Sequence, residues 1–337
     1  MNKNEIAKLH YDKNAKGLFF NLLKFSSVFY AMGCEFKNFL YDHKILKPKK
    51  VDAYVISIGN LTTGGVGKTP VVAEFANFFK KDKNVAIVSR GYGSKKKGIV
   101  SDGKEILLKC EDAGDEPFWL AQNTPGVIVI TTKNRYEGAK FAVEKFEATK
   151  IILDDGFQHR KLYRDLDIVL TDSKMGFGNE KLLPAGPLRE GMEAFSRINK
   201  LVVVSKDFDH SRAEKLAKIM TKKMKVDAII CKTEPDFVYN IKTGEKLADG
   251  SEITAVCAIG QPKQFYQFLN NYQIKQTVDF DDHHMYTEEE LPTGIIVTTE
   301  KDAVKMKDFT RNDIYALKLK TNIDVATLLN WFNVAIF

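Results

Sequence analysis

The sequence predicts an α/β protein built on a mostly parallel sheet with helices on both faces. A smaller second α/β unit and an N-terminal amphipathic helix complete the expectation. Three observations carry it. Short apolar runs alternate with helical patterns along the chain, as βαβ units require. A glycine-rich turn, Gly59 to Gly67, joins the apolar run Tyr54 to Ile58 to the amphipathic run Val71 to Phe79. Near the N-terminus, Leu18, Leu22, Phe25, Phe29, Met32, Phe36 and Leu40 recur at spacings of four and three, one stripe of a helix.

The chain has 337 residues, enough for one large or two ordinary domains. The expected division is an N-terminal helical region over 1–45, a nucleotide-type domain over 46–225, a β-hairpin linker over 226–250 and a smaller α/β domain over 251–337. The last helix of that domain is expected to be able to pack back on the first domain. A hydrophobic content of 44% with 28% charged residues is ordinary for a globular protein. The net charge of +7 favours an anionic partner. The basic clusters at Lys47–Lys50, Lys80–Lys83 and Lys95–Lys97 lack interleaved aromatics, so nucleic acid is not expected. Cys34, Cys110, Cys231 and Cys257 are far apart with no C-x-x-C pair, which argues for free thiols rather than a disulfide or zinc framework.

In chain order, the N-terminal stripe comes first. Lys13, Lys16, Lys24, Lys44, Lys47, Lys49 and Lys50 surround it, and Asn21, Lys24 and Glu35 interrupt it. No stretch of about 20 uninterrupted apolar residues exists, so a spanning helix is not expected. A cleaved signal peptide fits poorly, because no A-x-A site follows. Two readings stay open from spacing alone: a helix packed on the protein's own core, or one lying in a membrane interface with lysines toward anionic head groups.

The glycine-rich turn has the strand–loop–helix order of a phosphate cradle. Glycines let backbone N–H groups converge on phosphate oxygens, and the helix N-terminus adds the positive end of its dipole. Thr62, Thr63, Gly64, Gly65, Val66, Gly67, Lys68 and Thr69 form the cradle. Lys68 would reach the β- and γ-phosphates of ATP and Thr69 would offer a hydroxyl to Mg²⁺. Thr62 stands where a P-loop usually has its first glycine. The alternative is a glycine-rich turn without ligand.

Asn84 to Ser89 is a short strand ending in the turn Ser89-Arg90-Gly91-Tyr92-Gly93. Gly114-Asp115-Glu116-Pro117 places paired acids before a helix, where they could cap it or accept a proton from an attacking hydroxyl. Val127 to Thr131 is a strand, and Arg135 to Phe146 a helix whose Arg135 could contact phosphate or simply be exposed. Lys150 to Leu153 is a buried-type strand followed by Asp154 and Asp155, as a Walker B element needs. Asp167 to Thr171 and Lys200 to Ser205 read as further strands, Ala228 to Tyr239 as half of a hairpin, and Ile253 to Gly260 and Gly294 to Thr299 as elements of the second unit. Pro184 to Glu190 is a rigid loop with an adjacent cation and acid. Phe280-Asp281-Asp282-His283-His284 could titrate near neutral pH, or be a surface loop. Site groups should gather at the carboxyl ends of the parallel strands.

Together these pieces resemble the tetraacyldisaccharide 4′-kinase family. The matching stretches are Val55 to Asn60, Gly64-Gly65-Val66-Gly67-Lys68-Thr69-Pro70, Ser89 to Gly93, Gly114 to Pro117, Asp154-Asp155-Gly156-Phe157-Gln158-His159-Arg160, Leu183 to Glu190, Asp282-His283-His284, and Thr299 to Met306. They are collinear and span nearly the whole chain. The resemblance implies transfer of the γ-phosphoryl group of ATP to the 4′-hydroxyl of an acylated glucosamine disaccharide 1-phosphate. It implies Asp115 as the base, supported by His283, with Lys68, Arg135, Asp154 and Asp155 completing the catalytic set and Arg189 near phosphate. Thr69, Glu116, Asp154, Gln158 and Glu190 are implied around Mg²⁺. Because such a substrate is anchored in a bilayer, the resemblance also favours the membrane-interface reading, monotopic, at the cytoplasmic face of the inner membrane. The rival is the deviant Walker loop of partitioning and targeting ATPases. Those carry a lysine before the paired glycines, where this chain has Thr63, and they leave Gly114 to Pro117 unexplained.

Overall fold

The computed structural model describes residues 3–81, 84–260, 262–281 and 284–330. Two helices, α1 (Lys3–Tyr11) and α2 (Leu18–Asp42), precede the first strand. Then follow β1 (Tyr54–Asn60), α3 (Lys68–Phe79), β2 (Val85–Ser89), β3 (Gly98–Asp102), α4 (Cys110–Ala113), α5 (Asp115–Asn123), β4 (Ile128–Thr131), α6 (Arg135–Phe146), β5 (Lys150–Asp154), β6 (Leu166–Asp172) and β7 (Lys200–Ser205). The remainder is α7 (Ser211–Met224), β8 (Ala228–Asn240), β9 (Glu252–Cys257), α8 (Pro262–Phe268), β10 (Gln273–Asp279), β11 (Ile296–Thr299), α9 (Glu300–Ala303), β12 (Ile314–Asn322) and α10 (Val325–Asn330).

All the strands form one 12-stranded sheet in the order β10-β9-β11-β12-β8-β7-β6-β1-β5-β2-β4-β3. The strands β1, β2, β5, β6 and β7 are buried along almost their whole length. This is why their sequences are continuous apolar runs: helices cover both faces of a parallel sheet. Ile56 and Ile58 point into the cluster formed with Val72, Phe75 and Ala76 of α3, whereas Val55 joins Ala139 and Ala142 of α6 on the other face.

The two halves of the sheet meet at β8. Its first residues pair parallel with β7, Leu201 opposite Ala228, and the rest pairs antiparallel with β12, Lys232 opposite Asn322. The expected hairpin turn does fold back, with Asn240 N donating to Glu245 O at 2.8 Å. The main partner of the strand is nevertheless β12, about 80 residues further on, because β12 offers a full apolar face and the turn segment does not. Val325, Leu328 and Leu329 of α10 return to the core under α3. A second apolar cluster, Val238, Ile253, Ala255, Phe265, Leu269 and Val297 among others, supports the C-terminal half.

Helix α2 is amphipathic in the unusual sense. Leu18, Leu22, Phe25, Phe29, Met32 and Phe36 are 59–90% exposed. Val28 and Phe39 extend the same bare surface. The inward face buries Phe20 and carries polar groups that bond to loop carbonyls. Ser27 Oγ donates to Leu182 O and Tyr30 Oη to Arg189 O, at 3.0 and 2.9 Å. The apolar stripe is therefore not what packs this helix onto the protein. Among the described residues no helix is long and apolar enough to cross a membrane.

Candidate active site

The carboxyl ends of β1, β2, β5 and β7 open on a cleft of about 1920 Å³ between the two halves of the sheet. The glycine-rich loop forms its floor. Gly67 caps α3 with φ of 93°, a left-handed conformation that a side chain would strain, so the loop can turn into the helix with its N–H groups facing the cleft. Thr62 needs no such freedom. Its backbone bridges to Leu188, and Thr63 N donates to Pro187 O at 2.8 Å. The loop's first residues thus act as a short strand against the segment 182–190, which is why threonine can stand in place of glycine. Gly59 answers a different need: a Cβ there would lie 2.7 Å from the Phe157 Cβ. The absence of a side chain lets the segment after β5 close over β1.

Lys68, at the first turn of α3, donates to Asn60 Oδ1 at 3.1 Å and lies 3.5 Å from Asp155 Oδ1. Arg189 grips both oxygens of Asp155, at 2.9 and 2.8 Å. Gln158 Nε2 donates to Asn60 O at 3.0 Å. The two adjacent carboxylates are driven apart electrostatically. Asp154 is buried and accepts from Ser89 Oγ at 2.9 Å. Burial, then the nearby Glu116 charge, pushes its carboxyl up to about 7. For Asp155 burial acts in the same upward direction, but Lys68 and Arg189 outweigh it and hold the group below the ordinary range. One acid can therefore give up a proton near neutrality and the other is fixed as an anion.

Arg135 is buried at the start of α6, with Nη2 3.4 Å from Asp155 O, and burial lowers its pKa. Its Nε and the Nε2 of His159 are buried without a hydrogen-bond partner, and both side chains line the cleft. Burial and then the Arg135 charge push His159 down to about 4. Unpaired donors and a wall of Arg90, Lys133, Arg135 and Arg189 suit an anionic ligand.

Beside the cleft residue Glu116, Asp115 is 7% exposed at the start of α5. Its Oδ1 accepts from Glu116 N, and its Oδ2 lies 3.6 Å from Lys301 and 3.7 Å from Lys305. Glu116 itself lines the cleft with Thr69 and Asp154. Glu190 sits behind it. This carboxylate is bonded to Arg197, and Asn38 of α2 donates to it at 3.1 Å. His283, with Asp282, lies outside the described residues; the neighbouring His284 contacts Glu290 at 3.0 Å.

The cleft thus gathers Lys68, Thr69, Glu116, Arg135, Asp154, Asp155 and Gln158. Among the described residues no three metal-ligating side chains converge in advance. That is compatible with Mg²⁺, which keeps several waters and takes one or two carboxylates plus phosphate oxygens. Residues that the sequence did not single out also belong here. Lys206, just past β7, donates to Gly65 O at 3.0 Å, and Tyr11 of α1 donates to Thr63 O at 3.3 Å. The position of Lys206 at the end of a parallel strand was the available signal. Tyr11 had none, since α1 has no pattern that marks it as covering the loop.

Residues 19–336 match the family described as tetraacyldisaccharide-1-P 4′-kinase. The chain is similar to the tetraacyldisaccharide 4′-kinase of Halothermothrix orenii, 36% identical, with 87% of this chain and 88% of the relative covered. It is 38% identical to the enzyme of that name from Desulfotalea psychrophila, over 88% of this chain and 91% of the relative. In structure it resembles LpxK from Aquifex aeolicus crystallised with ATP, with a TM-score of 0.78 and 33% identity over 95% of this chain and all of the other. The chain belongs to the tetraacyldisaccharide-1-P 4′-kinase family.

Proposed function

We propose that this chain transfers the γ-phosphoryl group of ATP to the 4′-hydroxyl of a tetraacylated disaccharide 1-phosphate. The observation that supports the reading is one cleft lined by the phosphate loop, Lys68, Asp154 and Glu116, with Asp115 next to Glu116 at the start of α5. Phosphoryl transfer needs positioning and charge neutralisation more than covalent chemistry.

ATP lies with its phosphates on the loop N–H groups and Lys68. Lys68 exchanges its contact with Asp155 for phosphate oxygens, while Arg189 keeps Asp155 anionic. Arg135 turns its buried Nε toward the transferring group. Thr69, Asp154 and Glu116, with Gln158 nearby, would hold Mg²⁺, which offsets the charge of the β- and γ-phosphates. Glu190 can join them only if its pair with Arg197 opens. Asp115 takes the proton of the 4′-hydroxyl as its oxygen attacks phosphorus, with His283 in support, and ADP leaves. The bare face of α2 lies in the membrane interface with Lys13, Lys16 and Lys44 toward anionic head groups, at the cytoplasmic face of the inner membrane. This helix brings the cleft to an acceptor anchored by its acyl chains.

The test is purified protein with detergent-dispersed disaccharide 1-phosphate, Mg²⁺ and γ-labelled ATP. The expected product is a bisphosphorylated lipid formed one for one with ADP. ATP hydrolysis with no labelled lipid would overturn the reading in favour of an ATPase switch.

A further inference from the structure

The Lys305 side chain is 1% exposed, an environment in which an ammonium group is costly unless compensated. It lies 3.0 Å from Asp302 Oδ1. Asp302 is fully buried, and its Oδ2 accepts from Ala258 N and from Thr299 Oγ1, each at 2.9 Å. Asp302 N in turn donates to Thr299 Oγ1, which caps α9. The carboxylate is therefore locked between the end of β9 and the end of β11, and it aims the lysine. The ammonium also lies 5.6 Å from the Tyr286 ring centroid, so an aromatic face closes another side.

What this chain of contacts reaches is Asp115, on the other half of the molecule. The Lys305–Asp115 separation of 3.7 Å is longer than a hydrogen bond, whereas Lys305–Asp302 is not. Asp302 thus owns the short contact, and Lys305 acts on Asp115 as an oriented charge.

We propose that Lys305 is a positioning residue for Asp115. Asp302 aims the ammonium, and the ammonium holds the Asp115 carboxylate beside the cleft residue Glu116, in the orientation that would meet the acceptor hydroxyl. The C-terminal half of the sheet thereby contributes to proton removal carried out by a residue of the N-terminal half. This inference rests on Asp115 being the base.

The experiment is a double-mutant cycle on the full-length protein in detergent micelles with MgATP and the acylated disaccharide 1-phosphate. Wild type, Lys305→Met, Asp115→Asn and the double variant are compared, with Lys305→Arg as the conservative control. Lys305→Met is expected to lower kcat by about tenfold to a hundredfold, with both KM values within about twofold. Lys305→Arg should recover part of the loss. In the Asp115→Asn background, Lys305→Met should have no further effect. A folded Lys305→Met with kcat within about twofold of wild type, or an equal loss in both backgrounds, would overturn the proposal. If Lys305→Met does not fold, Asp302→Asn replaces it in the same cycle under the same criteria. Near-normal turnover of Asp115→Asn would overturn the base assignment itself. A large loss in Asp115→Asn with additive Lys305→Met overturns the positioning role alone.

Discussion

Two lysine–carboxylate systems, one at the phosphate loop and one buried beside Asp115, differ in burial and in what they are joined to. Lys68 and Asp155 have side chains 15% and 32% exposed, and each has a second partner, Asn60 and Arg189 respectively. Lys305 and Asp302 are 1% and 0% exposed and are fastened to backbone and side-chain groups of the second half. The first pair can be re-partnered when phosphates arrive, because the exchange leaves no charge stranded. The second cannot be, because breaking it would bury an uncompensated ion. The difference teaches that one system is built to exchange contacts and the other to hold a geometry.

The sharpest way to break the comparison is Lys68→Met. Removing the exchangeable cation should lower kcat/KM for ATP by about 10²–10³, read in steady-state kinetics, because Lys68 is the cation at the first turn of the phosphate-loop helix. A loss under about tenfold would mean that Lys206 or Arg189 already carries that role. Next in size is Gly59→Ala, which drives a methyl into Phe157 and should destabilise the fold by about 1–3 kcal/mol in denaturant unfolding. That result would show that the closure of the Asp154–Gln158 segment over β1 is a packing requirement of the exchanging system.

The charge state of Asp154 supplies a smaller effect with a defined sign. Its folded pKa, about 7, stands above the ordinary 3.8, so the folded state holds a proton that the unfolded chain has lost. Stability from this group therefore falls as pH rises from about 4 to 7 and is level above that. Asp154→Asn keeps the acceptor for Ser89 and removes the burden. It should raise the melting temperature of the ligand-free protein by about 2–4 °C at pH 8 and by less at pH 5. With Asp154 as the proposed Mg²⁺ ligand, the same proton would have to leave on metal binding, so the thermal shift given by MgATP to the wild type should grow between pH 6 and 8. The smallest stability effect belongs to the outer face of α2. Phe25, Phe29 and Phe36 replaced together by serine should change unfolding free energy by no more than about 0.5 kcal/mol each, since they are solvent-facing. Sedimentation with anionic vesicles should nevertheless be lost. Unchanged sedimentation would place the membrane contact elsewhere.

What could be read from the sequence was what is local. The phosphate loop, the acids after β5 and the helix from Arg135 to Phe146 each announce themselves within a dozen residues, through glycines, carboxylates or periodicity. Strands that depend on distant partners did not. Gln273 to Asp279 is a mostly exposed edge with the alternation of a polar segment, and β12 becomes a strand by pairing with β8. Spacing alone left the outward stripe of α2 open between core and interface. The decision lies in Ser27, Tyr30 and Asn38, whose hydrogen bonds to the 182–190 loop turn the apolar side out. Lys305 and Lys206 were hidden for the same reason. A lysine in a sequence reads as surface, and only the fold reveals that Asp302 and Asp172 lie beside them. Glu190 shows the converse. The family resemblance implied a place for it near the metal, and in the fold its carboxylate pairs with Arg197 and Asn38 of α2.

The division of labour between the two systems is tested most directly by Asp115→Asn, with MgATP affinity and lipid phosphorylation measured on the same preparation. The account predicts an ATP dissociation constant within about twofold of wild type and turnover lower by at least about a hundredfold. Near-normal turnover, or loss of ATP binding together with turnover, would contradict it.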